Sequence, residues 1–141
     1  MKPENQFISG VHKYLKSTGP YFEKMANPWR SGTPDVWYSG SKGDMWIEYK
    51  YVPYVPKSNE ILADLSPRQR KWLNDRMSEG RRVAVILGSP DGAVIYVNGE
   101  WSKPLSTTQV VERLLSRQAV AEWIREQVGE TKCQDQSSSE R

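Results

Sequence analysis

The first half of the chain alternates between helical and extended patterns of apolar positions. Apolar residues recur at helical spacing over 3–16, which predicts an amphipathic helix. Residues 35–38 and 45–51 are typical of strands, and the turn-forming stretch 39–44 between them predicts a β-hairpin. Residues 20–34 show neither period, so we predict a loop there.

The second half of the chain repeats this alternation after an irregular stretch. Residues 52–64 include two prolines and predict a loop. Ser66 followed by Pro67 favours the start of a helix, because serine caps a helix and proline suits its first position, and Gly80 ends that helix. The remaining predicted elements are strands over 82–87 and 93–97 and a helical segment over 106–128 that is broken near Ser116.

These elements indicate a single α/β domain. The order is helix, strand, strand, helix, strand, strand, helix, for which one central mixed β-sheet flanked by helices is the economical packing. A chain of 141 residues is long enough for one such domain. We assign it to residues 1–128 and expect a disordered tail over 129–141, where the apolar pattern is lost.

Amino-acid composition excludes several classes of protein and of metal site. No apolar run approaches the roughly 20 residues needed to cross a bilayer. A single cysteine, Cys133, and a single histidine, His12, exclude a disulfide framework, a cysteine-rich zinc site and a multi-histidine centre. With 20 basic and 17 acidic residues, the net charge of +3 is a weak indication of a polyanionic partner. We therefore expect an intracellular protein whose chemistry relies on carboxylates, lysine and arginine.

One candidate site lies on the second strand of the predicted hairpin. Alternate side chains of a strand point the same way, so Glu48 and Lys50 share a face, with Cα atoms about 6–7 Å apart. Ile47, Tyr49 and Tyr51 then take the other face, which is apolar. Taken alone, this Glu-Tyr-Lys sequence fits a solvated strand face better than a catalytic site.

Asp35 changes that interpretation. It follows Thr33-Pro34 at the start of the first hairpin strand, so pairing of the strands would bring it close to Glu48. Two carboxylates could then bind one Mg²⁺, which prefers oxygen ligands. Lys50 beside them could orient a water or stabilise developing negative charge during phosphodiester cleavage.

Two further residues have two possible roles each. Glu4 lies on the apolar stripe of the first helix, where it could reach a metal site or could complement the positive helix N-terminus. Gln69 lies on the inner stripe of its helix and could contact an attacking water or a phosphate. It also completes the pattern Ser66-x-x-Gln69 of a capping box, which we favour slightly.

The motifs, in their order along the chain, resemble those of a nuclease group. They are Glu4, Gly32-Thr33-Pro34-Asp35, Glu48-Tyr49-Lys50, Leu65-Ser66-Pro67-x-Gln69 and Gly80-x-x-Val83-Ala84-Val85. This array, spanning residues 4–97, resembles the VRR-NUC (virus-type replication–repair nuclease) group of the PD-(D/E)XK superfamily, in its stand-alone phage and bacterial form. Two departures are a longer loop over 51–64 and a segment from Trp101 onward, including the helices within 106–128, that has no counterpart.

The resemblance implies a PD-(D/E)XK restriction-endonuclease-like core and a DNA endonuclease dependent on Mg²⁺ or Mn²⁺. It implies selectivity for branched DNA, a homodimer, and a location in the cytoplasm, the host's if the protein is phage-encoded. Asp35 and Glu48 would be metal ligands and Lys50 the catalytic lysine. Glu4 would be an auxiliary acidic residue at the metal, and Gln69 the catalytic-site glutamine after the core motif.

Basic residues near these motifs are candidates for holding DNA. Arg68 and Lys71 lie on the outer side of the predicted helix after Ser66, and Lys24 and Arg30 lie upstream of Asp35. Such residues usually lie on a solvated face without a binding role, but near a metal site they could hold flanking phosphates. No motif reads base edges, so we expect recognition of backbone and shape.

Two other functions remain open from the sequence. The chain could be a DNA- or junction-binding module that keeps a nuclease fold without catalysis. It could also be a protein-interaction module whose six tryptophans and seven tyrosines serve a partner surface. An intact Asp35, Glu48 and Lys50 set argues against the first of these.

Overall fold

The computed structural model describes residues 2–17, 19–25, 32–55 and 61–130, and its centre is a five-stranded sheet. The strands lie side by side in sequence order, and only β3 and β4 run parallel, since α2 crosses between them. The strands are β1 (Tyr21–Lys24), β2 (Val36–Gly40), β3 (Gly43–Tyr51), β4 (Val83–Ser89) and β5 (Gly92–Tyr96). The helices are α1 (Pro3–Lys13), α2 (Pro67–Ser78), α3 (Thr107–Arg113) and α4 (Arg117–Val128), with a short 3₁₀ helix over Glu100–Ser102.

Helices cover both faces of the sheet and divide the core in two. On one face, α1 and α4 pack against each other and against β3. Phe7 and Ile124 are buried there with Ile47 of β3. On the other face, α2 contacts β4 and α3 contacts β5, and Leu73 is buried with Val85. The predicted α/β class and the single central mixed sheet are therefore confirmed. No helix in the described part of the chain is long and apolar enough to cross a bilayer.

Serine caps set the starts of three helices. Ser66 and Ser106 each form a complete capping box with the glutamine three residues later, at the starts of α2 and α3. Ser116 accepts a hydrogen bond from the backbone N–H of Ala119 and so starts α4 as a separate helix. This confirms the predicted break near Ser116.

The predicted loop over 20–34 is wrong in its first part. Tyr21–Lys24 forms β1, an edge strand paired antiparallel with β2. The strand is four residues long and only Phe22 is partly buried, so it is too short and too exposed to show an alternating pattern. Its inward contact is the stacking of Phe22 on the His12 ring, with centroids 3.9 Å apart.

The hairpin and the tail also differ from their predicted bounds. The turn between β2 and β3 is only two residues long, because the strands pair as far as Gly40 and Gly43. Gly129 and Glu130 are not part of a loose tail: the Glu130 carbonyl accepts a hydrogen bond from the Ser41 N–H, at 2.9 Å. The remainder of the predicted tail, 131–141, lies outside the described residues.

A glycine allows the start of β2 to approach α2. Gly32 has a φ of +99°, which L side chains rarely adopt, and a Cβ there would lie 2.8 Å from the backbone oxygen of Arg68. Asp35 follows three residues later. The contact between Gly32 and Arg68 therefore holds the segment that precedes Asp35 against the first turn of α2.

We predict that Gly32→Ala destabilises the fold more than Gly80→Ala. Gly80 also has a positive φ, +85°, but a Cβ there would meet nothing within 4 Å. The control should therefore lose only the cost of left-handed backbone, about 1–2 kcal/mol, whereas Gly32→Ala should lose roughly 1–3 kcal/mol more from the steric clash. Equal losses in thermal or denaturant unfolding would contradict the close approach.

Candidate active site

Strand register brings Asp35 and Glu48 together. Val36 pairs with Ile47 in the antiparallel β2–β3 ladder, so Asp35, one residue earlier, falls beside Glu48, one residue later. The backbone N–H of Tyr49 donates to Asp35 Oδ2 at 2.9 Å, which holds the carboxylate over β3. The two carboxyl groups are close enough to share a hydrogen bond when one of them carries a proton.

Glu48 is a buried acid with one unsatisfied oxygen. The residue is 3 % exposed because β3 lies between β2 and β4. Its Oε2 accepts a hydrogen bond from Gln69 Nε2 at 2.9 Å and lies 3.5 Å from Lys50 Nζ. Its Oε1 is buried and has no hydrogen-bond donor among the residues that the structure describes. A buried carboxylate oxygen without a donor is costly, so this atom favours a proton or a cation beside it.

Burial and mutual repulsion raise the pKa values of the acidic groups here. Burial, followed by the charge of Asp35, raises the pKa of Glu48 to about 8, with Lys50 opposing the shift. Burial also raises the pKa of Asp35, against the Tyr49 N–H and Lys50. The pKa of Glu4 is raised by burial and then by Asp35. The pair therefore retains a proton near neutral pH unless a cation replaces it.

Gln69 completes the capping box that the sequence favoured and also contacts Glu48, which the sequence did not predict. Its contact with a water or a phosphate stays a prediction. Its Oε1 accepts from the Ser66 N–H at 2.9 Å, and its own N–H donates to Ser66 Oγ at 3.1 Å, which completes the capping box. At the same time its Nε2 donates to Glu48 Oε2. An amide has separate donor and acceptor atoms, so capping and contact with Glu48 are compatible. The start of α2 is thereby tied to the buried acid.

Lys50 lies on the same face of β3 as Glu48, as predicted. Its side chain is 23 % exposed, and the ammonium is near the acid pair and open to solvent. Ile47 and Tyr49 are fully buried on the opposite face. The alternation along β3 therefore separates a charged face from a packing face.

Glu4 lies at the margin of this site. It is in the first turn of α1 and is half-buried, and it interacts electrostatically with Asp35, Glu48 and Lys50. Across the described residues, no three acidic, histidine or cysteine side chains form a group that could jointly hold a metal ion. Metal ligation by Glu4 stays a prediction, and its complement to the helix N-terminus is compatible with its position.

The donor set fits a hard divalent cation. Mg²⁺ is commonly held by one or two carboxylates and keeps several waters. Asp35 and Glu48 supply two carboxylates, and the buried Glu48 Oε1 atom has no hydrogen-bond partner among the described residues. The residues present therefore suit Mg²⁺ or Mn²⁺.

The predicted DNA-contacting residues differ in their positions relative to the acidic pair. Lys24 of β1 lies in the electrostatic field of Asp35 and Glu4, with its Nζ 3.5 Å from Asn5 Oδ1. Arg68 and Lys71 lie on the exposed side of α2, where Lys71 is paired with Asp75 at 2.8 Å. Arg30 lies outside the described residues.

Sequence reasoning missed a buried polar chain beneath the acids. On the opposite face of the sheet, His12 Nε2 lies 2.8 Å from Tyr38 Oη, which lies 2.5 Å from Tyr49 Oη. Burial, with Lys24 and Lys16 adding to it, lowers the pKa of His12 to about 4, so the ring is neutral. Tyr38 and Tyr49 fall on the packing side of their strands, which was the available signal. This chain fixes α1 to the strands that carry Asp35 and Glu48.

Comparison with known proteins supports the fold. No family model matches the chain, and no curated protein does. Among solved structures it is similar to Hjc of Archaeoglobus fulgidus, a Holliday junction resolvase, with a TM-score of 0.52 and 16 % identity over 84 % of this chain and 99 % of that one. The fold is restriction-endonuclease-like. Membership of the VRR-NUC group stays a prediction.

We predict an unusual pH dependence of stability in the metal-free protein. Since the pKa of Glu48 is about 8 when folded and 4.5 as its ordinary value, folding binds a proton between these limits. Its stabilising contribution is full below about pH 4.5 and is lost as the pH rises toward 8. In EDTA, the unfolding temperature of the wild type should fall relative to that of Glu48→Gln across this window. Parallel curves for the two proteins would rule out the raised pKa.

Proposed function

We propose that the chain is a divalent-metal-dependent DNA endonuclease that hydrolyses phosphodiester bonds. The observation that carries the proposal is half-buried Asp35 beside buried Glu48, with one Glu48 oxygen to which no described residue donates and the Lys50 ammonium nearby. A buried acid beside a second carboxylate weakens a fold, so this pair next to the partly exposed Lys50 points to chemistry rather than packing.

Each residue then has a distinct task. Asp35 and Glu48 would hold the cation, whose chemistry is to neutralise charge on the scissile phosphate and to lower the pKa of a water. Lys50 places a positive charge where negative charge develops. Gln69 orients Glu48 through its Nε2 hydrogen bond, as outer partners of metal ligands do. Glu4 would add negative charge at the edge of the site.

We further propose selectivity for branched or junction DNA in replication, repair or recombination. The likeness to a Holliday junction resolvase supports this proposal at the level of the fold. The exposed cations Lys24, Arg68 and Lys71 are suited to holding phosphates around a non-linear substrate. The homodimer, which would bring two active sites to two strands, stays a prediction that sedimentation can test.

Loss of either carboxylate should abolish cleavage. We predict that Asp35→Ala or Glu48→Ala removes detectable hydrolysis of flapped or four-way DNA in Mg²⁺ or Mn²⁺, because loss of one of two carboxylates weakens cation binding and shifts the cation from the position that catalysis needs. DNA binding should remain largely intact, because the basic side chains are unchanged. Cleavage by the purified Asp35→Ala protein would defeat the proposal, and a wild type that binds DNA without cleaving it under any divalent ion would favour the non-catalytic module.

The two capping boxes provide a matched test of Gln69. Gln69→Ala removes a helix cap and the contact with Glu48, whereas Gln109→Ala removes only the equivalent cap of α3. We predict that both variants lose the stability of a helix cap, that Gln69→Ala loses somewhat more because Glu48 loses a donor, and that only Gln69→Ala lowers the cleavage rate, by about 10- to 100-fold.

The readout is initial cleavage rate together with unfolding temperature. If the two variants lost activity equally, Gln69 would act on stability alone, and its assignment to the site would be wrong.

A further inference from the structure

A groove of about 560 Å³ opens beside Lys50 at the end of β3. It lies where the parallel strands β3 and β4 end, a common place for ligand sites in α/β sheets. Its apolar wall, which we call the β3-end wall, is formed by Tyr51, Val52, Pro53, Leu62 and Leu87. The groove therefore continues the proposed catalytic site along an apolar surface.

This wall leaves apolar surface in water. Leu62 is 53 % exposed, and the nearby Tyr54 of the same connection is 68 % exposed. Large exposed apolar side chains beside a polar site are typical of a binding surface. The Tyr51 ring packs against Phe7, with ring centroids 6.2 Å apart, and this contact restricts the movement of the Tyr51 ring.

The charged residues of the groove suit two different groups of a ligand, one anionic and one a hydrogen-bond donor. Lys50 and Lys2 on its border attract phosphate. Glu4 and Asp64 also line it, and they would repel a phosphate but can accept hydrogen bonds from an exocyclic amino group of a base. The volume lies within the range of about 300–1,000 Å³ that small-ligand pockets occupy. An apolar wall with cations on one side and acceptors on the other suits a nucleotide.

We propose that this groove takes an unpaired nucleobase of the DNA substrate next to the scissile phosphate. The inference rests on the proposed nuclease function and gives it a physical basis for selectivity. Removing a base from a paired duplex costs unstacking and unpairing energy, whereas a base at a branch or flap is already free. Branched DNA can therefore fill the groove at lower cost than a continuous duplex.

The test uses two DNA substrates of the same sequence, one fully paired and one with a single-stranded flap. 2-Aminopurine replaces the first unpaired base of the flap. Leu62→Asp places a charge in the wall, Leu62→Ser shortens it, and Val111→Asp makes the matched change at a side chain of α3 that is 57 % exposed. Unfolding temperatures show that each variant is folded.

We expect binding of wild type and Val111→Asp in EDTA to change the 2-aminopurine fluorescence strongly. Both Leu62 variants should lose most of this change, and in Mg²⁺ their KM for the flap substrate should rise about tenfold with a smaller effect on kcat. If the Leu62 and Val111 variants behaved alike while cleavage persisted, the groove inference would be overturned and the nuclease function would stand.

Two further outcomes also overturn the inference. A wild type that cleaves neither DNA defeats the nuclease function, and the groove proposal with it. A shift in sedimentation of the DNA-free protein caused by Leu62→Asp alone would assign the wall to contact between two copies of the chain.

Discussion

The close approach of half-buried Asp35 to buried Glu48 is the constraint on which the site depends. Asp35 and Glu48 meet within the sheet, where their charges are poorly solvated, and Lys50 offsets only part of their repulsion. Such a pair is unfavourable until a proton or a cation joins it. The fold therefore keeps an unfavourable charge pair that a bound proton or cation would relieve, which agrees with the proposed metal site.

The surrounding elements keep that pair in place from three directions. Tyr49 fixes Asp35 through its backbone N–H, and Gln69 fixes Glu48 from the capped start of α2. Gly32 allows the segment before Asp35 to pack directly against that same helix turn. Beneath the sheet, the buried His12–Tyr38–Tyr49 chain ties α1 to both strands. Asp35 and Glu48 can lie close together because the segments that hold them, before β2 and at the start of α2, pack against each other.

The sequence was most informative where local rules act alone. The alternation along β3 predicts the shared face of Glu48 and Lys50, and serine capping predicts the start of α2. The sequence predicted the capping role of Gln69 but not its contact with Glu48, because that contact depends on the crossover between β3 and β4. Strand β1 was not predicted from the sequence, because its pairing with β2 is long-range and only Phe22 of the strand faces inward. The β3-end wall combines residues distant in sequence, which periodicity does not connect.

The most direct test of the account is calorimetric titration of the metal-free protein with Mn²⁺ in buffers of different ionisation enthalpy. The account predicts one ion per chain at the Asp35–Glu48 pair, release of protons near pH 7 as the ion displaces the shared proton, and loss of this site in Asp35→Asn and Glu48→Gln. Unchanged binding in both variants, or binding without any proton release, would contradict it.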